Sequence, residues 1–413
     1  MAKAYPRQPR KAPLPAPAWL QSAPVRKRFL APLAAALALG GCSLGDETET
    51  PPQLGTKSDD EDAAVKLGFP SSATKNTVRI GGGDSIADVA GVANVVFPAT
   101  SDASRPTAVM LVDKDDWQGA IAASVLSGKP IGAPILLSDG GDLPPVSEDT
   151  LERLDPKGSD LARDAEVIRI GEDPPRPSGF KTALIEGDDP YERAAAIDRF
   201  ASSARGEPSA DVVVASGERP EYAMPAAAWA AFSGDSVLFT ERSSVPEPTR
   251  KALREHEKPR IYLLGPESVI SRDVERELAK LGRVRRIEGP SAVENAIAFT
   301  RYQSAAGDFG WAVTTAGHSF TVANSDRPLD AAGAAALTAR GVPSPLLITD
   351  RADELPSALE DYFLNVQPGF YDDPREVAYS RAWILGDEDS FSVKAQVALE
   401  ELVELIPIQE NAP

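Results

Sequence analysis

Apolar and polar positions alternate between two periods along residues 78–405, and the same order of elements comes round three times. Each round opens on a short β-branched run closed by glycine: Val78-Arg79-Ile80-Gly81-Gly82, Leu184-Ile185-Glu186-Gly187 and Arg286-Ile287-Glu288-Gly289. A helix start follows. In the second round it is Asp189-Pro190 with Glu192, in the third Ser291 with Glu294, each a cap with an acid in the first turn. Val293, Ala296 and Ile297 then share one helical face. Buried strands are predicted at Ala108–Val112, Val212–Ala215 and Trp311–Thr315, and Ala-rich helices at Gly119–Leu126, Ala226–Phe232 and Ala331–Leu337. Further apolar strands lie in 134–139, 236–241 and 345–350, with Pro144, Pro246 and Pro356 marking the helices behind them. Each round ends on a strand and glycine: Ile168-Arg169-Ile170-Gly171, Tyr262-Leu263-Leu264-Gly265 and Trp383-Ile384-Leu385-Gly386.

Strands that are apolar throughout, rather than at every second residue, belong to parallel sheets covered on both faces. Their alternation with helices defines an α/β class. A period of roughly a hundred residues is long enough for each unit to hold its own core. The pattern predicts three tandem α/β units, at 78–182, 183–285 and 286–405, with a tail at 406–413.

This order of motifs resembles the cell-wall-binding repeat 2 family of Gram-positive bacteria, over nearly all of 78–405. The resemblance implies Toprim-like, Rossmann-like modules with mostly parallel sheets around a pseudo-threefold axis. It also implies non-covalent attachment to a wall polymer. The family opening I-x-G-x-D-R-Y-x-T-A is matched best by Ile185-Glu186-Gly187-Asp188-Asp189-Pro190-Tyr191-Glu192-Arg193-Ala194. Repeat one keeps Asp84 but has Ile86 in the tyrosine place, and repeat three has Pro290 and Ala292. The family loop A-S-G-x-x-F-P-D-A-L is matched by Ala215-Ser216-Gly217 with Glu221. In repeat three it reads as Thr315-Ala316-Gly317 with Asp330-Ala331-Ala332 after an insertion. In repeat one it has decayed to 113–119.

Residues 1–41 read as an export leader: basic and Pro-rich to Arg28, then apolar from Phe29 to Gly41, too short to span a bilayer comfortably. Leu39-Gly40-Gly41-Cys42 resembles the lipobox of bacterial lipoproteins, in which the cysteine thiol takes a diacylglyceryl group. Cys42 is the only cysteine in the chain. Residues 42–77 are crowded with acids, among them Asp46, Glu47, Glu49 and Asp59 to Asp62, and read as a disordered tether. The expected location is the extracytoplasmic face of the cell membrane, lipid-anchored, against the cell wall.

Charge narrows the partners. The chain has 43 Lys+Arg against 62 Asp+Glu, a net charge of −19. Seven of the basic residues fall in the acid-free leader, so the remainder, 36 basic against 62 acidic, carries −26. Such a body repels nucleic acid and anionic lipid. One cysteine and two histidines exclude disulfide frameworks and zinc ribbons.

Enzyme motifs are weak. Gly81-Gly82-Gly83 has Ile86 where a dinucleotide loop needs its third glycine. Gly317-His318-Ser319-Phe320-Thr321 lacks the last glycine of a nucleophile elbow, and the repeat register reads Gly317 as the third family loop. Asp113, Asp115 and Asp116 form an acidic loop without the Gly and Glu of an EF-hand. His256, between Glu255 and Glu257, reads as a solvated surface residue. No cofactor, metal or catalytic residue is expected, and the chain is read as non-enzymatic. Ligands of open parallel sheets sit beyond the carboxyl ends of the strands. That rule makes Ser216, Gly217, Glu221 and Tyr191 in repeat two, and Gly317 and Asp330 in repeat three, the candidate contacts for a wall glycan. The other reading of Glu221 and Asp330 is that they only cap the Ala-rich helices. A lipid-tethered solute-binding, sensor or scaffold protein that has lost wall binding is the alternative function. A solute-binding protein has two lobes and a hinge, which a threefold repeat does not supply. The sequence leaves the oligomeric state open.

Overall fold

The computed structural model describes residues 70–408. The leader, Cys42 and the acidic segment to residue 69 lie outside the described residues. The reading of 42–77 as a tether does not hold at its end, because from Pro70 the chain is part of a sheet. Strand β1 (Pro70–Ala73) pairs antiparallel with β2 (Thr77–Ile80). The turn between them is held by the Glu400 carboxylate, which accepts the Asn76 backbone N–H at 3.0 Å and the Asn76 Nδ2 at 2.8 Å.

Helix α1 (Ser85–Val96) follows, its first turn capped by Asp84, whose Oδ1 accepts the Ala87 N–H at 2.8 Å. Then come β3 (Val109–Asp113), α2 (Trp117–Ala123), β4 (Ile135–Ser138), α3 (Pro145–Leu154), β5 (Val167–Ile170) and β6 (Thr182–Ile185). These strands form a parallel sheet in the order β4-β3-β5-β6. The order recurs. Helix α4 (Pro190–Arg205) leads to β7 (Asp211–Ser216), α5 (Pro220–Ser233), β8 (Ser236–Thr240), α6 (Glu247–Glu255), β9 (Arg260–Leu264), α7 (Arg272–Leu278) and β10 (Arg283–Ile287). The second sheet runs β8-β7-β9-β10. Helix α8 (Ala292–Arg301) leads to β11 (Ser319–Asn324), α9 (Pro328–Arg340), β12 (Leu346–Thr349) and α10 (Ser357–Asn365). Next are β13 (Gly369–Phe370), β14 (Arg381–Leu385), α11 (Val393–Val403) and β15 (Ile406–Pro407). The third sheet runs β12-β11-β14-β2, with β1 outermost, so its fourth strand comes from the other end of the described chain. The two-residue strands β13 and β15 pair with each other, which draws the first residues of the expected tail into the fold.

The strands that open each sequence segment thus complete the preceding sheet. Boundaries at 182/183 and 285/286 cut through β6 and β10. One hydrogen bond marks the equivalence: the N–H of Gly171, Gly265 and Gly386 donates to the carbonyl of Ile185, Ile287 and Ile80, at 3.1, 3.0 and 2.9 Å. The Pro-marked helices also agree in detail. Pro144, Pro246 and Pro356 are the N-caps of α3, α6 and α10, with φ of −58°, −60° and −59°.

The predicted strand at Trp311–Thr315 is not one; the strand of that register is β11, a few residues later. Trp311 instead packs edge-on to Trp229, with ring centroids 5.2 Å apart, and stacks on Phe232. Ala312 sits at φ +56°, outside the extended region. An aromatic plug therefore replaced the strand expected there.

The Ala-rich helices α2, α5 and α9 pack against one another between the sheets. Ala120, Ala226, Ala227, Ala331 and Ala335 are completely buried. Methyl side chains let three helix backbones approach where larger groups would overpack the interface. That contact carries the carboxyl ends of β3, β7 and β11, and the loops beyond them, into fixed positions. No helix of the described residues is long and apolar enough to cross a membrane.

Candidate functional site at the carboxyl ends of the strands

Strands β3, β7 and β11 end on Asp113, Ser216 and Asn324. Each end residue turns its side chain back to accept the N–H two residues on: Asp115 at 2.8 Å, Glu218 at 3.1 Å and Asp326 at 3.0 Å. A short polar side chain that mimics a backbone turn is what these positions share. The register assigns the third loop to Asn324-Ser325-Asp326, not to Thr315-Ala316-Gly317. Gly317 lies before β11, at the opposite, amino end of the sheet.

At the end of β7 four of the candidate residues come together. Ser216 is fully buried, and its Oγ accepts the N–H groups of Glu218 and Arg219, both at 3.1 Å. It shapes the turn rather than offering a hydroxyl to a ligand. Gly217 donates its N–H to Thr240 at 2.8 Å, and its carbonyl accepts Gln118 Nε2 at 3.1 Å. A Cβ at this position would stand 2.8 Å from the ring of Tyr191, so a larger residue here requires the ring to shift. Tyr191 is half-buried near the start of α4, whose cap Asp189 accepts the N–H groups of Tyr191 and Glu192, each at 2.8 Å. Burial first, then the nearby Glu241, Glu218 and Asp189, push its hydroxyl up to about 12. The phenol remains a proton donor at neutral pH.

Glu221, in the first turn of α5, pairs with Arg219, whose Nε lies 2.7 Å from Oε1. The Arg219 guanidinium also stands 5.6 Å from the centre of the Tyr222 ring. Glu218 is exposed and accepts the Arg242 N–H at 2.9 Å. Glu218 stands near the half-buried Tyr191, whereas Arg219 and Glu221 neighbour the buried Tyr222, so the turn after β7 offers donors and acceptors on both sides. This arrangement suits an uncharged polyhydroxylated ligand.

Asp330 is not part of that surface. It is fully buried in the first turn of α9, where Arg327 Nε approaches to 3.3 Å. Beside it is Asp88 of α1, also fully buried, with Arg327 Nη2 2.7 Å from Oδ2. Two carboxylates share one guanidinium. Burial first, and then the charge of Asp330, push the Asp88 carboxyl up to about 8; burial likewise raises Asp330. The group couples α1 to α9, so the candidate ligand contact at Asp330 is corrected to an internal one.

The remaining sequence candidates also fall in place. Asp113 spends Oδ1 on Asp115 and Oδ2 on the Gly140 N–H at 2.6 Å, while Asp116 caps α2 and meets Arg193. His256 is not a solvated surface residue. Its ring bonds Asp198 at 2.9 Å and the Ser209 carbonyl at 2.7 Å, and both side chains are almost inaccessible. Glu257 and Lys258 both have positive φ, and this turn directs the ring inward although charged residues flank it in sequence.

Residues 185–275 match the family model of cell wall binding domain 2, a segment that holds Tyr191, Ser216, Gly217 and Glu221. The fold of the whole described body is similar to two solved structures. Cwp6 from Clostridium difficile superposes with a TM-score of 0.62 at 18% identity, over 82% of this chain and 49% of that one. Cwp8 from Clostridium difficile gives 0.61 at 20% identity, over 80% and 52%. The chain therefore spans about half the length of these two proteins. No curated protein sequence matches it.

Proposed function

We propose that this protein binds a cell-wall glycan non-covalently and without catalysis, while a lipid on Cys42 holds it to the outer face of the membrane. The observation that carries the reading is the match of residues 185–275 to the model of cell wall binding domain 2, in a fold similar to those of Cwp6 and Cwp8. In this reading the three sheets, each with its helices, are three copies of one unit. Glycan hydroxyls meet Tyr191, Glu218 and Glu221 at the end of β7, on a turn shaped by Ser216 and Gly217. Hydroxyl-to-carboxylate bonds are charge-assisted and short, and suit a neutral sugar. The net charge of the body disfavours long-range capture of polyanions by this face.

The test is retention of the full-length chain on purified cell walls, with and without Ca²⁺. Retention that falls in the Glu218→Ala, Glu221→Ala variant, with an unchanged melting temperature, supports the reading. Absence of retention in every condition leaves the fold as a scaffold without wall binding. Intact-mass measurement of the native protein tests the anchor: a diacylglyceryl adduct on a chain that begins at Cys42 is expected, and an unmodified chain with residues 1–41 in place refutes it.

A further inference from the structure

The second sheet ends on an open strand. In the order β8-β7-β9-β10, no strand among the described residues pairs with the outer side of β10. Arg283 donates its N–H to the Pro259 carbonyl at 2.9 Å, and the Ile287 carbonyl accepts the Gly265 N–H at 3.0 Å. Main-chain groups alternate in direction along a strand, so the N–H and C=O of Val284 and Arg286 point outward. The third sheet shows what such an edge takes. The bonds from Gly265 to Ile287 and from Gly386 to Ile80 align β10 with β2, and set Val284 and Arg286 level with Thr77 and Arg79. On β2 that side is covered: β1 pairs with it antiparallel, Ser72 against Arg79 and Ala73 against Val78.

The open edge is also basic. Arg283, Arg285 and Arg286 fall within four residues, on a body whose net charge past the leader is −26. Arg286 is engaged with Glu275, at 2.8 Å. Arg283 and Arg285 are exposed, share one face of the strand and have no carboxylate partner among the described residues. They border a hollow of about 340 Å³ with Tyr262 and Tyr302. On the other face Val284 and Ala279 line a groove of about 640 Å³ against α7.

We propose that β10 is a docking edge for another protein, whose extended acidic segment joins the second sheet as an antiparallel fifth strand. Main-chain bonds to Val284 and Arg286 supply the affinity, and side chains supply the selection. The residues opposite Arg283 and Arg285 are two apart on the incoming strand. They stand in the closer, non-hydrogen-bonded pairs, where opposite charges across strands attract. The segment therefore carries Asp or Glu at alternate positions, with small or β-branched residues between them beside Val284. The same arginines bar self-association, since two β10 edges would set arginine against arginine. This edge is separate from the turn after β7, and the inference stands independently of the glycan reading.

The experiment titrates the full-length chain, by calorimetry, with a synthetic peptide of about ten residues that alternates glutamate and valine. One control is the same peptide N-methylated at its valines, whose amides face β10 in the proposed register. The other has lysine in place of glutamate. The first peptide is expected to bind at least tenfold more tightly than either control. Hydrogen exchange then shows the amides of Val284 and Arg286 gaining protection, while those of β6, the equivalent edge of the first sheet, do not change. In Arg283→Gln with Arg285→Gln, both exposed side chains, affinity falls at least tenfold. Val284→Pro removes an outward N–H, a change that an edge strand tolerates, and abolishes binding; melting temperatures verify the fold of both variants. Equal binding of the N-methylated peptide means attraction by charge alone, as for any polyanion, and overturns the proposal. Absence of binding, wild-type affinity in the double arginine variant, or protection gained on another strand overturns it as well.

Discussion

Arg193, near the start of α4, places its guanidinium 2.7 Å from the carboxylate of Asp116, the cap of α2. The same contact is made between α1 and α9 with the charges exchanged: Asp88 meets Arg327, the cap of α9, also at 2.7 Å. The positions correspond, because Arg193 and Asp88 each stand six residues after an opening glycine and address it. Arg193 Nη2 donates to the Gly187 carbonyl at 3.1 Å, and Asp88 Oδ1 accepts the Gly82 N–H. On α8 Asn295 occupies the place, six residues after Gly289, and accepts the Gly289 N–H at 3.2 Å. What persists is a polar bond from the opening helix to its glycine, with the sign of the charge free to change.

Removal of one partner of a buried pair leaves an uncompensated charge, at a cost of about 3 kcal/mol. Arg193→Ala is expected to destabilise by that order in urea unfolding. The exchange Asp116→Arg with Arg193→Asp recovers most of it, since the fold already accepts that order at Arg327 and Asp88. The expected shortfall is the lost cap of α2, about 1 kcal/mol, because Asp116 Oδ1 accepts the Gly119 N–H and the capping arginines do not replace that bond. An exchange variant no more stable than Arg193→Ala would show that the two contacts are not equivalent.

The Asp88 cluster makes stability depend on pH. Asp88 is raised to about 8 in the fold, against about 3.9 in an unfolded chain. The folded state thus binds more protons between those values, and its contribution is complete below about pH 4 and lost as pH rises toward 8. The groups facing it are Asp330, Arg327 and Asp387, and Asp330 is raised as well. Melting temperature is expected to fall from pH 5 to pH 8, more steeply in the wild type than in Asp88→Asn. Equal slopes would mean that Asp88 is ionised throughout.

Much of this architecture is legible in the chain, and the exceptions have physical causes. Pro144, Pro246 and Pro356 mark helix starts because a fixed φ and a missing donor suit a helix boundary. The apolar runs around Ile135, Val237 and Leu347 read as buried strands and are. The run Trp311–Thr315 has the same local signature as Ser319–Asn324, and only the aromatic partners Trp229 and Phe232, far off in sequence, decide between them. Burial of Asp330 is equally hidden, since an acid in a first helical turn has the same local pattern whether solvent or another helix covers it. The turn at Ser216 and Gly217 was readable as the loop that ends a buried strand. That Ser216 points inward was not.

Gly217 and Tyr191 yield a prediction that separates packing from binding. Gly217→Val forces its side chain into the tyrosine ring, an overpacking expected to cost about 1–3 kcal/mol. Tyr191→Ala in the same chain makes room and returns part of that stability, but it removes the ring from the proposed glycan surface. The double variant should therefore be more stable than Gly217→Val and still bind walls less than the wild type. Full wall retention in the double variant would exclude Tyr191 from the contact.

Arg79 tests whether the N-terminal strand truly closes the third sheet. Its side chain is 2% exposed, and burial lowers its pKa. It is fully engaged: Nε and Nη2 donate to Gln396 Oε1 at 3.1 and 2.9 Å, and Nη1 to the carbonyls of Gly386 and Asp387 at 3.0 and 2.8 Å. Arg286, at the same place on β10, donates to the Gly265 carbonyl at 2.7 Å, so the arginine pins the glycine turn of the neighbouring strand in two sheets. Arg79→Ala strands these acceptors and opens a cavity beside β14, a loss on the order of 3 kcal/mol. Hydrogen exchange should localise the effect: amides of β14 and α11 lose protection in Arg79→Ala, while those of β3 and β5 keep theirs. Unchanged protection of β14 would place β2 outside the third sheet.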